Sequence, residues 1–160
     1  MPKKILVCVD MGRMADHLVE FGHSLAHRLD AEVAFINVLP SPHLWKGYGT
    51  WINPDVTREA AESARKKIQY LIRVAEEKNY EFSYHENARD HPHEHEIIIE
   101  QGDSAEVIID KARRLDFNLI VIGFKGASGI QQMMVGSTTT NVSRYAHCSV
   151  LIYRPDFDPF

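Results

Sequence analysis

The chain has 160 residues, 44% apolar and 25% charged, ordinary values for one globular domain with a real core. Its formal net charge of −4 argues against a nucleic-acid binder, which usually carries a basic excess. No apolar run approaches the roughly 18 residues of a membrane span, and Ile5 to Val9 is too short for the apolar region of a secretion signal. A cytoplasmic location is therefore the default expectation.

Predicted strands and helices alternate along the chain. Lys4 to Val9 is a nearly continuous apolar run rich in β-branched residues, as in a strand buried on both faces. Leu18, Phe21, Leu25 and Leu29 recur at helical spacing and predict a helix from about Met14 to Leu29. Glu32 to Leu39 reads as a second buried strand. Pro40 to Asn53 is loop-like and carries Trp45, Tyr48 and Trp51. Asn53-Pro54 pairs a good cap with a good first helical residue. The helix it opens runs to about Lys78, with Ala60, Ala64, Ile68, Leu71 and Ala75 on one face.

Glu81 to Glu86 alternates, and a short strand is expected there. Asn87 to Glu96 is a polar, His-rich insertion, followed by a strand from Ile97 to Glu100. Asp103 and Glu106 form a capping box for a third helix burying Val107, Ile108, Ala112 and Leu115. Asn118 to Ile122 is the fourth strand, Ser137 to Tyr145 the last helix, Ser149 to Tyr153 the last strand and Arg154 to Phe160 a tail. The whole, residues 1–160, reads as a single α/β domain. Its order calls for an open parallel sheet with right-handed crossovers and helices on both faces. Ligands of such sheets bind beyond the carboxyl ends of the strands, where strand order reverses. Asp10 and Gly123, at the ends of the first and fourth strands, are therefore candidate site positions.

The chemistry concentrates after the fourth strand. Ile122-Gly123-Phe124-Lys125-Gly126 is followed after nine residues by Gly136-Ser137-Thr138. Glycines let backbone N–H groups approach an anion, and a helix start adds unpaired donors and a favourable dipole. The pattern points to a phosphate cradle. It is not a P-loop, because no Gly-Lys pair occurs, and neither the dinucleotide fingerprint nor a nucleophile elbow is present.

The Gly-x2-Gly-x9-Gly-Ser spacing resembles the signature of the universal stress protein family, in its ATP-binding branch. Ile5-Leu6-Val7-Cys8-Val9-Asp10, Glu100-Gln101-Gly102-Asp103, Asn118 to Gly123 and Ala146 to Ile152 extend the resemblance over nearly the whole chain. The resemblance implies an adenine nucleotide alpha-hydrolase-like fold with five parallel strands in the order 3-2-1-4-5. It implies an adenine nucleotide, ATP above all and with Mg conceivable, bound in a stress-linked regulatory or sensor role. Asp10 would contact the ribose or adenine end, and Val38 would meet the adenine through its backbone. Ile122, Gly123, Lys125 and Gly126 would approach the ribose and phosphates, while Gly136, Ser137 and Thr138 would hold phosphates. A homodimer through Ser149 to Tyr153 is also implied, as is a regulatory partner. The chain departs from the family's usual pattern at Met11-Gly12-Arg13-Met14 and at Phe124-Lys125. Lys125 is nearly the only positive charge beside the motif in sequence, which keeps AMP open beside ATP.

Alternative readings are a slow ATP hydrolase, with Asp10 its one evident carboxylate, and a nucleotide-free protein–protein module. Among other clusters, His91, His93 and His95 on an extended strand would project on one face with His85 nearby, either to hold a metal or as a solvated edge. His23 and His27 share a helix face and read as solvated surface. Cys8 and Cys148 read as core residues.

Overall fold

The computed structural model describes residues 3–41, 54–82, 95–124 and 135–154. In chain order its elements are β1 (Lys3–Cys8), α1 (Ala15–Leu29), β2 (Ala31–Leu39), α2 (Pro54–Phe82), β3 (Glu96–Gln101), α3 (Ser104–Arg114), β4 (Leu119–Gly123), α4 (Ser137–Tyr145) and β5 (Ser149–Tyr153). The strands form one sheet in the order β3-β2-β1-β4-β5, with every neighbouring pair parallel. This is the expected topology.

Strand periodicity sorts the core into two halves. Ile5, Val7 and Val9 face one way and pack with Leu18, Val19, Ile68 and Ile72 from α1 and α2. Leu6 and Cys8 face the other way, toward Ile108 and Ala112 of α3 and Val142 of α4. Successive strand side chains point to opposite faces, so a continuous apolar run is what a central strand between two helix layers requires. Gly22 brings α1 onto this sheet: a Cβ there would lie 2.5 Å from a Val7 methyl. Asp103 caps α3 as expected, its Oδ1 accepting from the Glu106 N–H at 3.0 Å. Gly102, at φ 147°, makes the turn that precedes it.

Three expectations change. α2 continues through Glu81 and Phe82, where alternation predicted a strand; 83–86 lie outside the described residues. No Gly or Pro follows Pro54 until Pro92, so nothing in the covalent chain stops the helix at Lys78. Ala60 of α2 is exposed, and Ile72 fills the core position beside Ala64, Ile68 and Ala75. Leu115 is the residue that ends α3 and is 37% exposed, so it closes the helix instead of packing within it. Among the described residues, no helix is long and apolar enough to cross a membrane.

Candidate functional site

β1 and β4 lie side by side at the centre of the sheet, and their connections leave toward opposite faces. That is the strand-order reversal where a crevice must open. A cleft of about 820 Å³ occupies the place, lined by Asp10, Val38, Ile122, Gly123, Gly136, Ser137 and Thr138 among others. Four separate stretches of sequence thus meet at one opening. Lys125, Gly126, Trp45, Tyr48 and Trp51 lie outside the described residues.

Asp10 lies two residues beyond the end of β1. Its Oδ1 accepts from the Gly12 N–H at 3.1 Å, which folds the chain back toward α1. It is not the cap of that helix, since Met14 occupies the cap position. One carboxylate oxygen thus braces the turn, and a carboxylate has acceptor capacity beyond one bond.

On the far side, Gly136 is the N-cap of α4 and supplies no side-chain cap. The first-turn N–H groups of a helix have no intrahelical acceptors, so the cleft receives the positive end of α4. The helix start is held against the sheet by hydrogen bonds. Buried Thr139 donates its hydroxyl to the Gly123 carbonyl at 2.7 Å. The Gly136 N–H donates to the Phe124 carbonyl at 3.0 Å, and the Phe124 N–H to the Tyr153 carbonyl at 2.8 Å.

Three lining residues escaped the sequence reading. Asn37 is 5% exposed and lines the cleft from β2. Its Nδ2 donates to the Val9 carbonyl at 2.8 Å, while Oδ1 is buried without a hydrogen-bond partner among the described residues. Leaving such an acceptor unmatched costs about 1–3 kcal/mol, which makes it a directional feature of the cleft. Asn37 sits beside Val38, but a single Asn inside an apolar strand has no motif to announce it. Arg13 and Arg154 also line the cleft, with the Arg154 guanidinium 4.3 Å from the centre of the Phe124 ring. Lys125 is nearly the only cation beside the motif in sequence, and Arg13 and Arg154 come to the cleft from elsewhere in the chain. Arg154 arrives because β5 pairs in parallel beside β4 and ends at the same edge.

Cys8 also faces the cleft. Burial pushes its thiol well above the ordinary range, and neighbouring Cys148 adds to the shift. Burial raises Cys148 too, although that residue is only half-buried. Both therefore stay protonated near neutral pH, and Cys8 is the core residue expected.

The universal stress protein family model matches residues 1–154. Universal stress protein YxiE of Bacillus subtilis is 27% identical over 154 residues, covering 94% of this chain and 98% of the relative. Universal stress protein A homolog 2 of Coxiella burnetii is 30% identical over 156 residues, covering 95% of this chain and 94% of its own. Among solved structures, hypothetical protein MJ0577 matches with a TM-score of 0.72 at 19% identity, over 99% of both chains. A universal stress protein in complex with cAMP matches with a TM-score of 0.58 at 17% identity, over 96% of this chain and 97% of that one.

Proposed function

This chain belongs to the universal stress protein family, and we propose that its cleft binds an adenine nucleotide, ATP foremost, as a regulatory or sensor module. The observation that carries the reading is the convergence of the ends of β1, β2 and β4 with the start of α4 on one opening. Its volume of about 820 Å³ falls in the range of small-molecule sites. A likeness in fold to a protein in complex with cAMP supports a nucleotide in general.

The proposed pose runs across the cleft. The base lies at Val38, its edge meeting backbone groups there, and an exocyclic amine donates to the unpaired Asn37 Oδ1. The oxygens of Asp10 accept from ribose hydroxyls. Ile122 and Gly123 flank the sugar and phosphates, continuing into Lys125 and Gly126. Gly136, Ser137 and Thr138 supply backbone N–H groups and hydroxyls to phosphate, helped by the α4 dipole. Arg13 and Arg154 give the phosphates charge-assisted partners. Mg would enter with the triphosphate. This division of labour binds and orients, and it assigns no residue as nucleophile or general base. Signalling would follow from a difference in affinity between two conformations.

The reading includes a cytoplasmic protein that pairs with a second copy through β5. That strand is the sheet edge, and its Ile152 is 40% exposed. An unpaired edge with apolar side chains is a template for another strand.

Mass spectrometry of small molecules released from the denatured purified protein tests the ligand. An adenine nucleotide at near one per chain is expected. Calorimetric titration with ATP, AMP and cAMP then ranks the phosphate number. No binding of any of them at millimolar concentration would overturn the proposal. More than one phosphate released per bound ATP, lost in Asp10→Ala, would replace it with hydrolysis.

A further inference from the structure

A second constellation lies at the opposite edge of the sheet. His95 immediately precedes β3, so it sits at the amino ends of the parallel strands, whereas the cleft opens at their carboxyl ends. Its side chain is 8% exposed, and Nε2 lies 3.0 Å from Glu76 Oε1 of α2. The His23 ring, from α1, meets the His95 ring edge-on with centroids 5.0 Å apart. Phe35 of β2 also meets the His95 ring edge-on, with centroids 6.0 Å apart. One ligand atom from each of His23, Glu76 and His95 falls within 4.8 Å of the other two.

We propose that His23, Glu76 and His95 form a binding site for a divalent transition-metal ion of the zinc class, separate from the nucleotide cleft. Two imidazoles and one carboxylate match the donor preference of Zn²⁺. Donors about 2.1 Å from a tetrahedral ion stand about 3.4 Å from one another. Glu76 and His95, at 3.0 Å, would have to open slightly to reach that spacing, and the ligand atom of His23 lies within 4.8 Å of both. Burial of His95 against Phe35 fixes one ligand, while exposed Glu76 leaves an entry path. Among the described residues, three side chains supply ligands. The ion would tie α1, α2 and the entry to β3 together, coupling metal level to the stability of this side of the fold.

The test is calorimetric titration of the EDTA-stripped full chain with ZnCl₂, without nucleotide. One ion per chain is expected, with affinity at least about tenfold weaker in His23→Ala and in Glu76→Ala. These side chains are not part of the closed core, and circular dichroism checks that both variants are folded. His95→Gln gives the same loss if it folds. Co²⁺ in place of Zn²⁺ should give the visible absorption of a tetrahedral site in the wild type and not in His23→Ala. His91→Ala/His93→Ala, in the preceding His-rich tract, should bind as the wild type does. The proposal is overturned by absence of saturable binding, by unchanged affinity in both single variants, or by loss confined to the His91/His93 variant. Binding that requires ATP would also overturn it, because the ion would then belong to the cleft.

Discussion

The two edges of this sheet are built by different means. The carboxyl edge is built around backbone, from strand ends, glycines and the start of α4, with side chains such as Asp10 and Asn37 added to it. The amino edge is made of side chains, where His23, Glu76 and His95 arrive from three elements far apart in sequence. A backbone site leaves a local trace, because glycines and a helix start must sit at set spacings to make it. A side-chain site leaves a weaker one: His95 stands out in a His-rich tract, but nothing along the chain joins it to His23 and Glu76. The contrast teaches where chemistry can hide from a sequence.

Substitutions can sharpen or break that contrast. The largest effect is expected from Phe35→Ala. Phe35 is fully buried and also packs against His95, so its loss should cost about 3–5 kcal/mol in urea unfolding. If the amino-edge cluster is independent of the core, metal affinity would survive in the fraction still folded; its loss would show that the core positions His95.

Gly22→Ala should follow, at about 1–3 kcal/mol in the same measurement, through overpacking against Val7. A gain in stability instead would mean that α1 can slide on the sheet, which would weaken any role of His23 in a fixed cluster.

Asp10→Ala and Asn37→Ala should each reduce adenine-nucleotide affinity about tenfold, or about 1.4 kcal/mol, by titration calorimetry. Asn37→Ala should act more on adenine than on a base lacking an exocyclic amine. Neither should alter Zn²⁺ binding, and a change there would break the separation of the two edges.

An effect confined to alkaline pH concerns Cys8. Its raised thiol pKa means that, on alkaline titration, the unfolded chain releases the proton first. Stability from this group is therefore intact below the ordinary thiol range and declines as pH rises through it, by at most about 1.4 kcal/mol per pH unit. The difference between wild type and Cys8→Ala in urea unfolding across that range isolates the contribution.

Much of the fold was legible because its signals are local and redundant. α4 and β5 occupy the predicted residues, α4 opened by Gly136 and β5 carried by the apolar run Val150-Leu151-Ile152. Asp103 announced α3 through its spacing to Glu106. The extension of α2 over Glu81 and Phe82 was not legible, because alternation over so few residues competes poorly with a helix already nucleated. In the candidate site, Asp10, Gly123 and Gly136 could be picked out because strand ends and glycines mark them, whereas Val38 came from the family resemblance alone. Arg13 was visible but had no reason to count until the turn held by Asp10 and Gly12 brought it to the cleft. Arg154 depends on which strand neighbours β4, and Asn37 on which polar atom is left over after folding. Both are properties of the assembled sheet.

The hydrogen bond from Gly136 to Phe124 has a polymer-physics consequence. It pins the two ends of the intervening segment to one point, so the chain leaves the sheet and returns at the same place. The entropy of closing such a loop grows only with the logarithm of its length. Inserting two residues between Gly126 and Gly136 should therefore cost the fold only about 0.2 kcal/mol. Nucleotide affinity measured on the same insertion variant would then show whether a ligand depends on the nine residues between those glycines.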